Sequence, residues 1–209
     1  MISIITVMGS PRRRGNTEKL LDEFIRGATE AEVDADVSVE KIILSDLDIH
    51  PCGGCNACHK TGSCIIEDDI TPFYDKVFAA NGFVLTAPIY TMSVPADVKI
   101  LIDRGHYLWV RRFLHRSGEI STAYRESHHA WFLSTAGMSF QKRPDLFSSV
   151  FPMISVFFGN LGYTQNGGVY ADAMDAHGGI LGRPEILEEA YECGQKAVHK
   201  LAKYDGKNI

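Results

Sequence analysis

Continuous apolar runs alternate with amphipathic stretches along this chain of 209 residues. Ile2–Met8 is apolar and rich in β-branched residues, which is typical of a strand buried on both faces of a parallel sheet. In residues 17–30, apolar side chains recur every three or four positions, as on one face of a helix. The chain therefore begins with a strand and a helix that covers it.

The same alternation predicts four further strands and the helices between them. Strands are expected at residues 35–44, 82–87, 129–135 and 162–170, and helices at 68–80, 94–104, 145–161 and 184–204. Strands joined by helices form right-handed crossovers and a parallel sheet that is covered on both sides. We predict a three-layer, doubly wound α/β fold, flavodoxin-like, with five parallel strands in the order 2-1-3-4-5 and a ligand site at their carboxyl ends.

Length and composition are those of one globular domain: 45% of the residues are hydrophobic and 22% are charged. The apolar runs are shorter than the ~20 residues of a membrane-spanning helix, and the first residues show no signal-peptide pattern. We therefore expect a cytoplasmic protein with no membrane partner. The net charge of -5, with one short basic run at residues 12–14, argues against nucleic-acid binding. A single domain over 1–209 is expected, with a cysteine loop at 52–64 and an insertion at about 106–127.

Four of the five cysteines fall in one short run, at Cys52, Cys55, Cys58 and Cys64. Two-residue spacers return successive sulfurs to the same side of a turn, so one loop can hold a 4Fe-4S cluster. Zinc is a weaker interpretation, because structural zinc sites usually take ligand pairs from separate parts of a chain. Free or redox-active thiols and a disulfide also stay open at this point. Cys193 lies far away on an apolar helical face and is predicted to be a small buried hydrophobe.

The loop after the first strand has the features of a phosphate site. Gly9 is followed by Ser10 and Arg12, then by Asn16 and Thr17 at the start of a helix. Backbone N–H groups and the helix dipole would converge on an anion there. The loop matches neither the P-loop nor the dinucleotide fingerprint, so a monophosphate is favoured over ATP or NAD. An ordinary helix cap beside a solvated arginine run is the alternative.

Two later loops follow strands that end at the same predicted edge. The loop after the third strand mixes flat apolar groups with hydroxyls and suits the floor of an isoalloxazine ring, although a buried Tyr-Met cluster is the commoner meaning of such residues. The loop after the fourth strand adds small donors. The candidate residues are Pro88, Ile89, Tyr90, Thr91, Met92, Ser93, Ser134, Thr135, Ala136 and Gly137.

These motifs together resemble the NADPH-dependent FMN reductase superfamily. The resemblance is carried by Gly-Ser-Pro-Arg with Gly-Asn-Thr, by Ala-Pro-Ile-Tyr, and by Lys99 with Asp103 and Arg104. The cysteine spacing of two, two and five resembles the iron-sulfur flavoproteins of that superfamily. The resemblance implies FMN with its phosphate at Ser10, Arg12, Asn16 and Thr17 and its ring against residues 88–93. It also implies a 4Fe-4S cluster on the four clustered cysteines and a homodimer or homotetramer.

The function expected from two such cofactors is electron transfer. FMN exchanges one or two electrons and a cluster exchanges one, so electrons would pass from a carrier such as ferredoxin, through the flavin, to a small-molecule acceptor. No catalytic side chain is expected beyond the cofactors. One competing interpretation is an NAD(P)H-dependent FMN or quinone reductase without a cluster. Another is a non-enzymatic flavin electron carrier or a thiol redox sensor.

The segment 106–127 fits no standard crossover. It is rich in arginine, histidine and aromatic residues, and an interface or lid and a peripheral helix are both open interpretations. As an interface it would use Trp109, Val110, Phe113 and Leu114 against a second subunit and bring one chain's cluster beside its neighbour's flavin. His59, inside the cysteine loop, either tunes the cluster or is an ordinary surface residue.

Overall fold

A parallel sheet forms the centre of the protein, whose computed structural model describes residues 1–117 and 119–204. The strand order is β2-β1-β3-β4-β5, and β6 pairs with β4 further along that strand. All paired strands run parallel, which confirms the predicted fold class. The strands are β1 (Ile2–Met8), β2 (Val37–Ile43), β3 (Gly82–Pro88), β4 (His129–Thr135), β5 (Thr164–Gln165) and β6 (Tyr170–Ala171).

Eight α-helices connect and cover the described strands, and five of them lie where the sequence predicts a helix. They are α1 (Asn16–Thr29), α2 (Ala57–Thr61), α3 (Ile70–Ala79), α4 (Ala96–Arg104), α5 (His106–Trp109), α6 (Thr122–Ser127), α7 (Phe151–Leu161) and α8 (Pro184–Ala202). A π-helical turn, Val110–Leu114, continues α5. The helix predicted from residue 145 begins only at Phe151, because Pro152 lacks an N–H and is accommodated in a first turn.

The fifth strand differs from its prediction over residues 162–170. Gly162 ends α7 with a φ of 88°, and Gly167 has a φ of 81°, so the chain leaves the extended conformation at both glycines. Two short strands, β5 and β6, replace one continuous strand, and both pair with β4. The predicted position in the sheet is correct and its continuity is wrong.

Alternate residues of each central strand face two separate apolar cores. In β1, Ile5 and Val7 belong to the core on the α3, α4 and α7 side, whereas Ile4 and Met8 belong to the core under α1 and α8. The other central strands divide in the same way. This two-sided burial explains why these strands are continuous apolar runs in the sequence.

The helices α1 and α8 are in direct backbone contact. A Cβ atom added to Gly27 of α1 would lie 1.9 Å from the carbonyl oxygen of Tyr191, and one added to Gly194 of α8 would lie 2.1 Å from that of Phe24. Only glycine permits this separation. The packing fixes α1, and with it the loop that precedes α1, against the sheet.

Within the part of the chain that the structure describes, every helix is too short or too polar to cross a bilayer.

Candidate functional site

A cavity of about 420 Å³ opens at the carboxyl edge of the sheet, where the loops after β1, β3 and β4 meet. The sequence predicts that these three loops converge, and the structure brings them together. The cavity is lined by Ser10, Arg12, Gly15, Asn16, Thr17, Pro88, Ile89, Tyr90, Thr91, Met92, Thr135, Ala136, Gly137, Met138, Arg143, Leu146, Met174 and Asp175. Its walls combine apolar surface with hydroxyl groups and backbone amides, a donor set that fits a flat ring carrying a phosphate.

The loop after β1 directs the start of α1 towards the cavity. Among the described residues, no side chain caps the first turn of α1, whose N-cap residue is Gly15, so N–H groups of that turn keep their capacity to bind an anion. The three arginines of this loop have different roles. Arg13 pairs with Asp46, and the backbone N–H of Arg14 donates to Glu18. Among the described residues, Arg12 forms no ion pair, and it lines the cavity.

The loop after β3 contains a tight, paired turn. Tyr90 and Ser93 exchange two backbone hydrogen bonds of 2.8 and 2.9 Å around Thr91 and Met92. Both central residues have positive φ, 49° and 61°, as in the type I′ turns that normally contain Asn and Gly. The paired bonds fix the shape of the turn, and Thr91 and Met92 at its tip line the cavity.

The loop after β4 is tied to both other loops. The Thr135 hydroxyl shares a buried hydrogen bond of 2.7 Å with the hydroxyl of Thr17. Ser134 donates to the carbonyl of Ala87 at 2.8 Å and is fully buried, so it holds β3 against β4 and does not line the cavity. Ser93, whose backbone is taken up by the turn, does not line it either. The remaining predicted residues of the three loops do.

Asn16 also connects the cavity wall to the C-terminal part of the chain. Its side-chain oxygen accepts the N–H of Ile180 at 3.0 Å, which leaves its amide nitrogen as the group that can donate to a ligand. Sequence reasoning misses six lining residues: Gly15, Met138, Arg143, Leu146, Met174 and Asp175. Met174 and Asp175 follow β6, so the rule that sites lie at carboxyl ends of strands, extended to the fifth strand, would have indicated them.

The cysteine loop leaves the same edge of the sheet after β2. Cys52 and Cys55 are exposed, whereas Cys58, on α2, and Cys64 are half-buried and pack against the core. Burial and the charges of Cys64, Cys52 and Cys55 together raise the pKa of Cys58, so its thiol lies within electrostatic reach of the other three. Four sulfurs so grouped match the donor set of a 4Fe-4S cluster.

Histidines from the insertion lie beside this loop. The Nε2 atoms of His59 and His106 are 3.2 Å apart, and one ligand atom from each lies within 4.8 Å of the sulfur of Cys58. His115 bonds through Nε2 to the carbonyl of His59 at 2.7 Å. The first part of the insertion thus packs on its own chain's cysteine loop.

Within the insertion, Val110 is fully buried, which contradicts its predicted place on an intersubunit surface. Its side chain is taken up by the interior of its own chain. Phe113 and Leu114, in contrast, are about half exposed. Trp109 is half-buried, so the interface that the sequence predicts would have to use Phe113 and Leu114 with the exposed part of Trp109.

Cys193 is separate from the cysteine loop. It is half-buried on α8, packs on the core beneath that helix, and has a pKa raised to about 11 by burial. Its environment agrees with the predicted role of a small hydrophobe.

The family model of the NADPH-dependent FMN reductases matches residues 2–130, well over half of the chain. An iron-sulfur flavoprotein of Methanocaldococcus jannaschii is 37% identical over 107 residues, which are 51% of this chain and 53% of that protein. An iron-sulfur flavoprotein of Methanosarcina thermophila is 33% identical over 112 residues, 54% of this chain and 56% of that protein. The chain thus matches about half the length of these relatives.

Solved structures share the fold over nearly the whole chain. An FMN-dependent NADH-azoreductase from Bacillus anthracis, in complex with FMN, has a TM-score of 0.67 at 14% identity and covers 97% of this chain and 100% of its own. An NAD(P)H:quinone oxidoreductase from Methanothermobacter marburgensis has a TM-score of 0.66 at 16% identity and covers 93% and 95%. The flavodoxin-like architecture is common to all three. Together with the match of the family model, the sheet order and the three-loop cavity assign this chain to the NADPH-dependent FMN reductase family.

Proposed function

We propose that this protein is a flavin-dependent oxidoreductase that binds FMN in the three-loop cavity and a 4Fe-4S cluster on Cys52, Cys55, Cys58 and Cys64. The observation that carries the proposal is the presence of both sites at one sheet edge: a cavity beside an uncapped helix start, and four grouped thiols on the next loop. The names of the relatives, iron-sulfur flavoproteins, support the same pairing. When bound, the flavin supplies one- and two-electron chemistry and the cluster supplies one-electron transfer.

Different residues of the three-loop cavity would bind different parts of the flavin. The N–H groups that begin α1, with Ser10, Thr17 and the Arg12 guanidinium, would hold the phosphate. The backbone of the Thr91–Met92 turn would lie along the ring, where its fixed amides can donate to ring oxygens and nitrogens. Thr135, through its hydrogen bond to Thr17, would link the loop that holds the phosphate to the loop after β4. No side chain is assigned as a nucleophile.

The electron partners belong to the same proposal. A one-electron carrier such as ferredoxin would deliver to the cysteine loop, whose Cys52 and Cys55 are exposed. A small-molecule acceptor would take electrons at the mouth of the flavin cavity. Association into a homodimer or homotetramer through the half-exposed Phe113 and Leu114 would shield the cysteine loop from solvent.

A second candidate is an NAD(P)H-dependent FMN or quinone reductase without a cluster. The family description, NADPH-dependent FMN reductase, and the azoreductase and quinone oxidoreductase that share the fold favour it. In that case the cysteines would serve as thiols, and reduced nicotinamide would be the donor.

Anaerobic purification distinguishes the two candidates. The first predicts about four iron and four sulfide per chain, a broad visible absorbance shoulder, and FMN as the flavin released by heat and identified by chromatography. Flavin without iron, with rapid oxidation of NADPH, would favour the second. Release of mainly FAD, or of no flavin, would contradict both.

A further inference from the structure

Arg104, the last residue of α4, ties together the two ends of the cysteine loop. Its side chain is fully buried. Nη1 donates to the carbonyl of His50 at 2.8 Å, and Nη2 lies 3.4 Å from the carbonyl of Ile66. His50 precedes the first cysteine of the loop and Ile66 follows the last one. One guanidinium therefore closes the stem from which all four cysteines project.

Asp68 completes the stem with a second, equally buried charge. Its two oxygens accept from Nη1 and Nη2 of Arg104, the latter at 3.0 Å. They also accept the backbone N–H groups of His50 at 3.0 Å and Ile70 at 3.1 Å. Removing two charges from water is costly, and a buried ion pair often stabilises a protein no more than apolar residues would. Its presence beneath the loop points to a role other than stability.

The guanidinium also lies beside one of the four sulfurs. Its Nε is buried and is left without a hydrogen-bond partner by the described residues. Ile66, whose carbonyl faces Nη2, lies two residues after Cys64, and the guanidinium charge interacts with the Cys64 thiol. An arginine stays protonated throughout the physiological range of pH. Arg104 is therefore a permanent positive charge, with a spare donor, at the end of the loop that carries Cys64.

We propose that Arg104 is a positioning residue that orients Cys64 and raises the reduction potential of the cluster on this loop, and that Asp68 opposes it. The inference rests on the proposed function. One-electron reduction adds one negative charge to the cluster and its thiolates. A buried cation held at the stem, on the carbonyl two residues after Cys64, stabilises the added charge, and the nearby carboxylate destabilises it.

The test is the midpoint potential of the anaerobically purified holoprotein, titrated with dithionite as electron donor in the presence of mediators and followed by electron paramagnetic resonance. Arg104→Gln should lower the potential and Asp68→Asn should raise it. Each shift should be about tenfold in the one-electron equilibrium, or about 59 mV. Arg104→Lys, which keeps the charge, should lower it less than Arg104→Gln. Asp103→Asn is the control, because Asp103 is exposed on the same helix, pairs with Lys99 and should leave the potential unchanged.

Opposite shifts are what distinguish this role from a structural one. If the pair only holds the loop together, both variants loosen it, and their potentials move in the same direction or not at all. Either result would overturn the inference, as would an equal shift in Asp103→Asn. If Arg104→Gln does not fold, Arg104→Lys takes its place and must lower the potential while Asp68→Asn raises it. A wild-type protein without iron and sulfide would instead contradict the proposed function.

Discussion

The two candidate sites lie at the same edge of the sheet, but left-handed backbone occurs on different residue types in each. In the cysteine loop the positive φ angles, 66°, 57° and 72°, fall on Gly54, Asn56 and Gly62. These residue types adopt that conformation at little cost. In the flavin cavity, positive φ angles of 49° and 61° fall on Thr91 and Met92, which have Cβ atoms and resist it.

The difference shows how each site gets its shape. The cysteine loop turns where its own sequence favours a turn, and tertiary contacts hold it at its stem, through Arg104 and Asp68, and at His59, through the insertion. The turn at Thr91 stores strain of order 1 to 3 kcal/mol per residue, which the paired bonds between Tyr90 and Ser93 and the packing around them must overcome. The backbone turns of the cysteine loop are favoured by their own residues, whereas the turn at Thr91 and Met92 is imposed by the fold. We expect the two to respond separately to mutation.

The largest expected effect is a loss of iron from the cysteine loop that leaves FMN binding unchanged. Cys→Ser at position 52, 55, 58 or 64 should each remove most of the iron, because one thiolate ligand is lost, while the FMN content stays unchanged. Iron, sulfide and flavin are measured on the same anaerobic sample. Cys193→Ser is the control and should retain the iron. Loss of FMN together with iron in the four variants would show that the two sites are not independent.

The pH dependence of folding stability is expected to differ between the sheet below the cavity and the stem of the cysteine loop. His129 begins β4, is 3% exposed, and has a pKa lowered to about 4 by burial. Since the unfolded histidine takes up its proton near pH 6.5, stability present above that pH is lost as pH falls towards 4, by about 2 to 3 kcal/mol. Burial raises the pKa of Asp68, but the hydrogen bonds from Arg104 and from two backbone N–H groups, with the charge of Arg104, together lower it, so this residue keeps its charge over that range.

Urea unfolding at pH 7 and pH 4.5 measures this loss. His129→Gln, which cannot titrate, should show a flatter dependence than the wild type. The same slope in both proteins would assign the acid sensitivity to other groups.

Flavin affinity should depend on the hydroxyl bridge between two of the cavity loops. Thr17→Val removes the hydroxyl that bonds to Thr135 and leaves a buried polar atom without its partner. We expect FMN binding to weaken by about 1 to 3 kcal/mol, measured by fluorescence titration of the flavin-free protein. Thr29→Val makes the same change at the other end of α1, where the bonds that the described residues give the hydroxyl go to carbonyls of its own helix. Equal losses in both variants would place the effect in helix stability.

The smallest predicted effect tests the stored strain directly. Thr91→Gly should stabilise the protein by up to about 1 kcal/mol, because glycine accepts positive φ and part of that gain is offset by its freedom in the unfolded chain. Thr71→Gly, at an exposed position in the first turn of α3, should destabilise it instead. Chemical unfolding of both variants gives the comparison. Destabilisation by Thr91→Gly would mean that the turn is not strained.

The same contrast explains what the sequence alone can predict. β4 matches its prediction of residues 129–135 because a strand buried on both faces is a continuous apolar run. The cavity loops follow from the rule that links carboxyl ends of parallel strands to ligand sites. The short helices α2 and α6 have too few residues to show a helical period, so the sequence pattern does not predict them.

The role of Arg104 is hidden in the sequence for a different reason. An arginine at the end of a helix normally indicates an exposed residue, and burial beneath a loop that lies 38 to 54 positions earlier in the chain leaves no local pattern. Asp103 and Lys99 are charged residues of the same helix, yet they form an exposed ion pair. Contacts between distant side chains decide such cases, and hydrophobic periodicity does not report them.

The close packing at Gly27 and Gly194 bears on which stretch of this chain can exist as an autonomous folding unit. Residues 2–130, which match the family model, include α1 but not α8. Without α8, the apolar side chains of α1 and the backbone around Gly27 would be open to water, and the neighbouring face of β1, β3 and β4 would lose part of its cover. The stretch that matches the family model is therefore shorter than the stretch that folds cooperatively, because cooperative folding also requires α8.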